Sequence, residues 1–598
     1  MDPPPPSPVI FDSDGAPSSR RYGDVYFSRE GGLAESRAVF LAGCGLPERW
    51  AGRRRFTVAE LGFGTGLNIL ALLELWRAHR PTDAHLSIFS VEAEPLTATE
   101  ARQALAAWPQ LAPIAEVLLA RWPGRRRGFH RIALPEFDAT LDLAVMDAEP
   151  ALAAWSGAAD AWFLDGFAPS VNPAMWTDAL MAQVAARSAP GAKTATYTVA
   201  GQARRALAAA GFTLERRPGF GGKRERLEAS LPGARATDAS PPRVAIVGAG
   251  IAGAALARAF RLQWIEARVF EAAQPGAGPS GNPAALVTPR LDAGLGAAAQ
   301  LHAQAFAGAV RLYGGVAGAV IGHGVLQLEA GPRDAGRFAT IAAADLYEPG
   351  AMSLWNAAEV SDALGEPAPA ALGLDAALTI DPAPVLAAWL PRVELARVAK
   401  LSAVGGAWRL IDGGGVEAEA EIVCLASGAS LAELWPDAPI QPVRGQLSFA
   451  HDVTAPAAAW GHYVAPTRGG ILFGATHDRD VAADDWRASD DQRNLAALAE
   501  RLPALARRLS GAPLEGRASV RATTPDRLPI AGEIAPGLFT LAGLGSRGFT
   551  LAPLLAEHVA ALALGSPSPL PTPLSRIVAT GRFAERAARR LAGKAAPV

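Results

Sequence analysis

The chain has 598 residues, of which 50% are hydrophobic, and a formal net charge of −2. One domain usually takes about 100–200 residues, so two or more domains are expected, and the apolar content excludes a disordered chain. No apolar run of about 18 residues lacks charges or breakers, which argues against a transmembrane helix.

The start, Met1-Asp2 and then four prolines, predicts no secretory leader, because a basic segment followed by an apolar one is missing. Residues 1–19 are expected to form a flexible tail. Phe56-Thr-Val-Ala-Glu60 then reads as a short apolar strand ending in an acid. Leu61-Gly62-Phe63-Gly64-Thr65-Gly66 follows, and Leu67-Asn68 opens an apolar helix. Glycines supply positive φ and let the backbone approach a ligand at a helix N-terminus. The spacing Glu60-x-Gly62-x-Gly64-x-Gly66 differs from the dinucleotide pattern. It suits a ligand with a carboxylate and a ribose but no pyrophosphate, as in S-adenosylmethionine. The next strand ends in Glu92, where an acid can take both ribose hydroxyls. A third strand is followed by Asp147, a candidate for the adenine amino group. The candidate S-adenosylmethionine residues are therefore Glu60, Gly62, Gly64, Gly66, Asn68, Glu92 and Asp147.

A fourth strand, from Asp160, ends in Asp165-Gly-Phe-Ala-Pro169, at the edge where ligands gather in open α/β sheets. Basic clusters lie at Arg53–Arg55, Arg121–Arg131, Arg216–Arg226 and Arg582–Lys594. They read either as solvated surface or as phosphate contacts with a polyanion.

Residues 229–242 are small, polar and breaker-rich, and are expected to link a domain at 20–228 to a second at 243–598. Val244-Ala-Ile-Val-Gly248-Ala-Gly250-Ile-Ala-Gly253 is a strand, turn and helix start, and the next strand ends in Glu271. This is the dinucleotide fingerprint with its ribose acid, predicting FAD or NAD on Gly248, Gly250, Gly253 and Glu271. A second glycine-rich turn, Gly543-Leu-Gly545-Ser-Arg547-Gly548, follows a late strand and favours FAD. Its N–H groups and helix start can face the flavin pyrimidine, where negative charge grows on reduction. Two distant cysteines, Cys44 and Cys424, make no disulfide framework, and nine histidines show no metal-ligand spacing, so no metal is expected.

Several long stretches carry a resemblance. Asp24-Val-Tyr-Phe-Ser28, the Gly62–Asn68 turn, Asp160–Pro169 and Gly219-Phe-Gly-Gly-Lys-Arg-Glu225 resemble the methyltransferase half of the bifunctional bacterial MnmC family. That family makes 5-methylaminomethyl-2-thiouridine at the tRNA wobble position. Ser280-Gly-Asn-Pro283, Pro442-Val-Arg-Gly-Gln446 and Gly474-Ala-Thr476 resemble the family's oxidoreductase half, itself similar to glycine oxidases. Met146, Ser170-Val171, Ala284-Ala285 and Thr288 depart from the family pattern.

The resemblance implies an α/β chain. A Rossmann-like methyltransferase domain would precede an FAD domain of the glycine/D-amino-acid oxidase type with an inserted α+β substrate region. It also implies FAD and S-adenosylmethionine as cofactors, tRNA as partner, a cytoplasmic monomer and no membrane partner. The FAD half would oxidise a carboxymethylaminomethyl group, and the other half would methylate the amine left behind. Such an amine must lose a proton before it attacks a methyl group, and Asp165 is the candidate base. Arg521, with Arg547 as the other candidate, would clamp the substrate carboxylate; the bland alternative for Arg521 is an ion pair with Asp526. A small-molecule amine oxidase fused to an amine methyltransferase is the rival reading, and a non-catalytic RNA-binding scaffold the third.

Overall fold

A computed structural model describes residues 7–28, 31–221, 223–234, 240–413 and 415–595, without the side chains of 590–595. It divides into two compact units. One is Met1–Ser240 with Leu262–Trp264 and Ser566–Thr572; the other is Pro241–Arg261 with Ile265–Gly565 and Pro573–Val598.

The first unit is built on an eight-stranded sheet. Its strands are β1 (Arg55–Leu61), β2 (His85–Glu92), β3 (Gly128–Leu134), β4 (Ala139–Val145), β5 (Ala159–Leu164), β6 (Ser188–Thr196), β7 (Thr213–Pro218) and β8 (Glu225–Ser230). Their order is β3-β4-β2-β1-β5-β6-β8-β7. The five strands from β4 to β6 are parallel, and β3, β8 and β7 close the edges antiparallel. Every residue of β4 and β5 is buried, as expected for parallel strands covered on both faces. Helix α1 (Leu67–His79) follows β1. The chain crosses from β4 back over β1 to reach β5, so the topological switch point lies between the ends of β1 and β5. Phe89 stacks on Trp155 with ring centroids 4.3 Å apart. Both rings are fully buried, each worth roughly 2–3 kcal/mol in transfer from water.

Two sequence expectations change here. The stretch expected as a flexible tail contains an antiparallel hairpin, Val9–Phe11 with Pro17–Ser19; residues 1–6 lie outside the described residues. Asp12 Oδ1 accepts the N–H groups of Asp14 and Ala16 and closes the turn, an aspartate turn the prolines upstream obscured. The expected linker begins later than residue 229, because Ala229 and Ser230 pair with β6 as the end of β8. Residues 235–239 of it lie outside the described residues.

The second unit holds β9 (Val244–Val247), β10 (Arg268–Glu271), β11 (Glu394–Leu395), β12 (Ile422–Leu425), β13 (Gln441–His451), β14 (Gly470–Gly474), β15 (Glu515–Thr523), β16 (Ile530–Ala535) and β17 (Leu538–Ala542). Six form a sheet of order β11-β10-β9-β12-β17-β16, parallel except for β16. A separate, larger sheet contains β13 paired antiparallel with β14 and β15. Helices α2 (Ile251–Arg261), α3 (Ala488–Ala499) and α4 (Gly548–Leu564) complete the frame used below. Gly548 lets α4 come close to α2: a Cβ there would lie 3.2 Å from Ile251 Cγ2. Arg258 and Glu557, both buried, pair at 2.7 Å between the two helices.

Among the described residues, no helix is long and apolar enough to cross a membrane. Among them, too, no group of three or more His, Cys, Asp or Glu is placed to hold a metal ion. Cys44 and Cys424 are buried free thiols.

Candidate active sites

In the first unit the chain leaves β1 through three left-handed glycines, Gly62 (φ 99°), Gly64 (φ 52°) and Gly66 (φ 79°). Only glycine tolerates three such residues so close together. Gly62 is held on both sides. Its N–H donates to Val91 O at 3.1 Å, and a Cβ on it would run into Asp165 O. Glu92 Oε2 accepts the Gly64 N–H at 2.9 Å, and its Oε1 accepts the Glu94 N–H. A carboxylate has about four acceptor sites, and the Ala93 N–H also bonds Glu92, which leaves room for a ribose hydroxyl. Asp147 stands apart, exposed before the helix Ala148–Ala154 with no capping bond.

The switch point gathers the acids. Asn68 Nδ2 donates to Glu60 Oε1 at 3.1 Å and to Asp165 Oδ2 at 2.6 Å. Its Oδ1 accepts from Ser36 Oγ, and Ser90 Oγ donates to Glu60 Oε2. Burial pushes Glu60 well above the usual carboxylate range, with the charge of Asp165 adding to it. Burial also raises Glu92 and pushes Asp165 up to about 7. Three carboxylates held up in this way, Glu60 buried and Glu92 and Asp165 half-buried, fit a cationic ligand such as S-adenosylmethionine, whose ammonium and sulfonium would relieve the burial cost.

Aromatic rings crowd the Asp165 turn. Phe167 meets Tyr22 and Tyr26 at centroid distances of 5.0 and 5.4 Å. Tyr197 donates its hydroxyl to Gly166 O at 2.5 Å, and Lys223 Nζ lies 4.1 Å from the Tyr197 ring centre. Lys223 also pairs with Glu35 at 2.6 Å, and Asp24 Oδ2 accepts the Ala168 N–H. Sequence reading noted the stretches at 24–28 and 219–225 but gave their side chains no role beside Asp165. Their signal was their rarity alone.

The second unit repeats part of this design. Gly248 (φ 109°) donates its N–H to Phe270 O at 2.8 Å, and a Cβ on it would lie 2.5 Å from Ala426 O. Glu271 Oε2 accepts the Ala249 N–H at 2.7 Å. A Cβ on Gly253 would collide with Gly248 O, whereas one on Gly250 would meet only Ser280 Oγ at 3.1 Å. The protein therefore leaves the space above Gly250 almost clear at the start of α2. That is a cradle into which a pyrophosphate fits. Ser280 Oγ accepts the Ile251 N–H, and Asn282 Oδ1 accepts from Arg517. Gly543 (φ 69°) and Gly545 (φ 57°) form the late turn before α4.

The two candidate arginines lie in different surroundings. Arg521, on β15, has no hydrogen-bond or ion-pair partner among the described residues. Burial lowers its pKa, partly countered by Tyr463. Asp526, its expected alternative partner, is taken by Arg582 at 2.9 Å and Arg586 at 2.6 Å. Burial alone would raise Asp526, but those bonds hold it at about 2. Arg547 lies beside Arg290 and Tyr347, its pKa lowered by burial and then by Arg290, and its buried Nε lacks a partner. His302 nearby is held at about 3 by burial and by those two guanidinium charges.

The basic clusters separate into two kinds. Arg126 is 3% exposed and donates to Phe129 O and Arg127 O. Of the two readings open for this cluster, neither solvated surface nor phosphate contact suits Arg126: its guanidinium is a turn brace. Arg53 likewise pairs with buried Asp160. Arg125 and Arg127, with Arg20, Arg21 and Glu94, instead border a cavity of about 500 Å³. The end of the Arg582–Lys594 cluster lies among side chains outside the described residues.

Residues 109–232 match the family model described as S-adenosyl-L-methionine-dependent methyltransferase, and 243–562 match that of FAD dependent oxidoreductase. A tRNA 5-methylaminomethyl-2-thiouridine biosynthesis bifunctional protein MnmC from Caulobacter sp. (strain K31) is 59% identical over 599 residues, covering 98% of this chain and 99% of that protein. The protein of the same name from Caulobacter vibrioides is 57% identical over 584 residues, 98% of each. A solved glycine oxidase from Geobacillus kaustophilus is 23% identical with a TM-score of 0.47, covering 55% of this chain and 96% of that one.

Proposed function

The chain belongs to the MnmC family of bifunctional proteins, and from that premise we propose that it modifies the wobble uridine of tRNA in two steps. The second unit oxidises 5-carboxymethylaminomethyl-(2-thio)uridine; water then hydrolyses the imine, glyoxylate leaves, and an aminomethyl group remains. The first unit methylates that amine to 5-methylaminomethyl-(2-thio)uridine. Full-length identity to a relative of that name carries this reading.

FAD, when bound, would supply a two-electron acceptor; Gly248, Gly250, Gly253 and Glu271 would hold it, together with Gly543, Gly545 and Gly548 of the late turn. Arg521 clamps the carboxylate of the carboxymethyl group through two parallel hydrogen bonds. Its lack of a protein partner supports that role, because a half-buried guanidinium loses part of its hydration with no anion to replace it. Arg547 remains the rival clamp.

S-adenosylmethionine supplies an electrophilic methyl group, held by Glu60, Gly62, Gly64, Gly66, Asn68, Glu92 and Asp147. Asp165 takes the proton from the substrate ammonium. A carboxylate pushed to about 7 by burial is a better base than one at the ordinary value and is still ionised in part at neutral pH. Phe167, Tyr22, Tyr26 and Tyr197 offer faces on which a flipped-out pyrimidine stacks.

The tRNA backbone meets the cavity bordered by Arg20, Arg21, Arg125 and Arg127. The chain works as a monomer in the cytoplasm, where its tRNA substrate is found. Mass analysis of tRNA nucleosides from a deletion strain tests the whole reading. Accumulated carboxymethylaminomethyl-uridine supports it; an unchanged nucleoside profile rejects it, and turnover of a free amino acid would favour the small-molecule rival.

A further inference from the structure

Strand β13 presents two different faces. Arg444, Gln446 and Ser448 point to α3. Arg444 pairs with Asp490 at 2.5 Å, Gln446 Nε2 and Ser448 Oγ both donate to Asp491 Oδ1, and Asn494 Nδ2 donates to Gln446 O and Ser448 Oγ. All six side chains are buried. This buried polar network, in which Arg444 Nε and Asn494 Oδ1 alone lack partners among the described residues, ties the strand to α3 against sliding or lifting. The opposite face carries Val443, Gly445 and Leu447 by simple alternation.

Arg521 lies on that second face. In the β13–β15 register Val443 pairs with Arg521 and Gly445 with Ser519, so Arg521 reaches Gly445 along the diagonal of the sheet. A Cβ on Gly445 would lie 2.6 Å from Arg521 Cζ and 2.8 Å from Nη1, and closer still to Nη2. The guanidinium rests on the bare Cα. Gly445 is not among the residues with positive φ, so the backbone does not demand glycine; the space does. Leu447 on the same face shares an apolar cluster with Ala284 and Tyr463, which ties this face to the segment that departs from the family pattern at Ala284-Ala285.

We propose that Gly445 is a positioning residue that seats the Arg521 guanidinium and thereby sets where the substrate carboxylate is held. Any side chain at 445 lifts the guanidinium from the strand, and the α3 network prevents β13 from yielding in compensation. The displaced group is the far end of a flexible chain, so Gly445→Ala costs clamp geometry and leaves the fold intact. The proposal rests on Arg521 being the clamp.

A double-mutant cycle on the full-length FAD-loaded protein tests it. The measurements are FAD content, melting temperature, anaerobic flavin reduction by carboxymethylaminomethyl-tRNA, and the Kd for glycolate read from the flavin spectrum. Gly445→Ala should keep FAD and slow reduction roughly ten- to a hundredfold, the scale of a lost charged hydrogen bond, and should weaken glycolate binding by a similar factor. Arg521→Ala should do at least as much, and adding Gly445→Ala to it should change nothing further. An undiminished effect of Gly445→Ala in the Arg521→Ala background would overturn the proposal, because the glycine would then serve the strand alone. Normal reduction in Gly445→Ala with slow reduction in Arg521→Ala overturns the seat and keeps the clamp. Normal reduction in Arg521→Ala overturns the clamp itself. Should Gly445→Ala lose FAD, the double variant decides: regained colour supports the clash with Arg521, and colourless protein refutes it.

Discussion

The two glycine-rich turns begin alike and then diverge. In each, the first glycine has a left-handed φ, donates its N–H to the neighbouring strand, and is blocked by a carbonyl from the strand across the switch point: Gly62 between Val91 and Asp165, Gly248 between Phe270 and Ala426. In each, the acid ending the next strand accepts a turn N–H, Glu92 from Gly64 and Glu271 from Ala249. After that the first turn stays left-handed through Gly64 and Gly66 before α1 starts, whereas the second enters α2 almost at once. The first makes a broad cradle next to buried acids and suits a cation with a ribose. The second turns the start of α2, where Ser280 already takes the Ile251 N–H, toward a space that suits a dianion. On the proposed assignments the same opening would serve opposite charges, with the later residues deciding which.

The sharpest way to break this contrast is Gly250→Val. A Cβ there would have only Ser280 as a neighbour within 4 Å, at 3.1 Å from Oγ, so the damage is expected to fall on the ligand. The purified variant should be colourless while binding S-adenosylmethionine normally; a full FAD complement would sink the assignment. Next in size is Asp165→Asn, which should cut methylation roughly 10²–10⁴-fold, the usual worth of a general base, with S-adenosylmethionine affinity within a few fold. In the native protein the methylation rate should climb as pH rises through about 7. The stability sign runs the other way. Asp165 is raised on folding, so folding takes up a proton between about pH 4 and 7 and stability falls as pH rises through that window. Asp165→Asn should therefore melt higher than the native protein at pH 8, with the gap closing toward pH 4. A native-like rate would remove Asp165 from the chemistry.

Arg521→Lys should keep FAD and slow its reduction roughly a hundredfold, as expected for the loss of a bidentate charged contact. If only Arg547→Lys slows reduction, the clamp is Arg547. The smallest effect concerns the polyanion. Reversing the charges of Arg125 and Arg127 should raise the tRNA KM by about tenfold and flatten its salt dependence, leaving both cofactors bound as before. A changed S-adenosylmethionine Kd would instead place that cavity in the cofactor pocket. Arg126→Ala should lower the melting temperature rather than the salt slope.

Local spacing made the two turns and their strand-end acids legible, because a strand, a tight turn and a helix start lie within a dozen residues. The rest depended on distant contacts. Glu35 meets Lys223 across 188 positions, and no pattern in either stretch announces that meeting. Arg125, Arg126 and Arg127 look equivalent in the sequence, yet the turn into β3 buries the middle one. Asp526 is the alternative partner that sequence proximity offers Arg521, but the chain brings back Arg582 to take it. The seat at Gly445 was invisible because the absence of a side chain gains meaning only from what rests on it.

One amide ties the cofactor side of the methyltransferase to its chemistry. Asn68 spends its two N–H groups on Glu60 and Asp165, and a charge on Asp165 helps to hold Glu60 up. A cation bound at Glu60 would favour the ionised form of both carboxylates. On the proposed assignment the methyl donor would then ready the base before tRNA presents its amine. By reciprocity, a proton on Asp165 and a donor at Glu60 oppose one another. The affinity for S-adenosylmethionine should rise as pH passes upward through about 7, and Asp165→Asn should abolish that dependence.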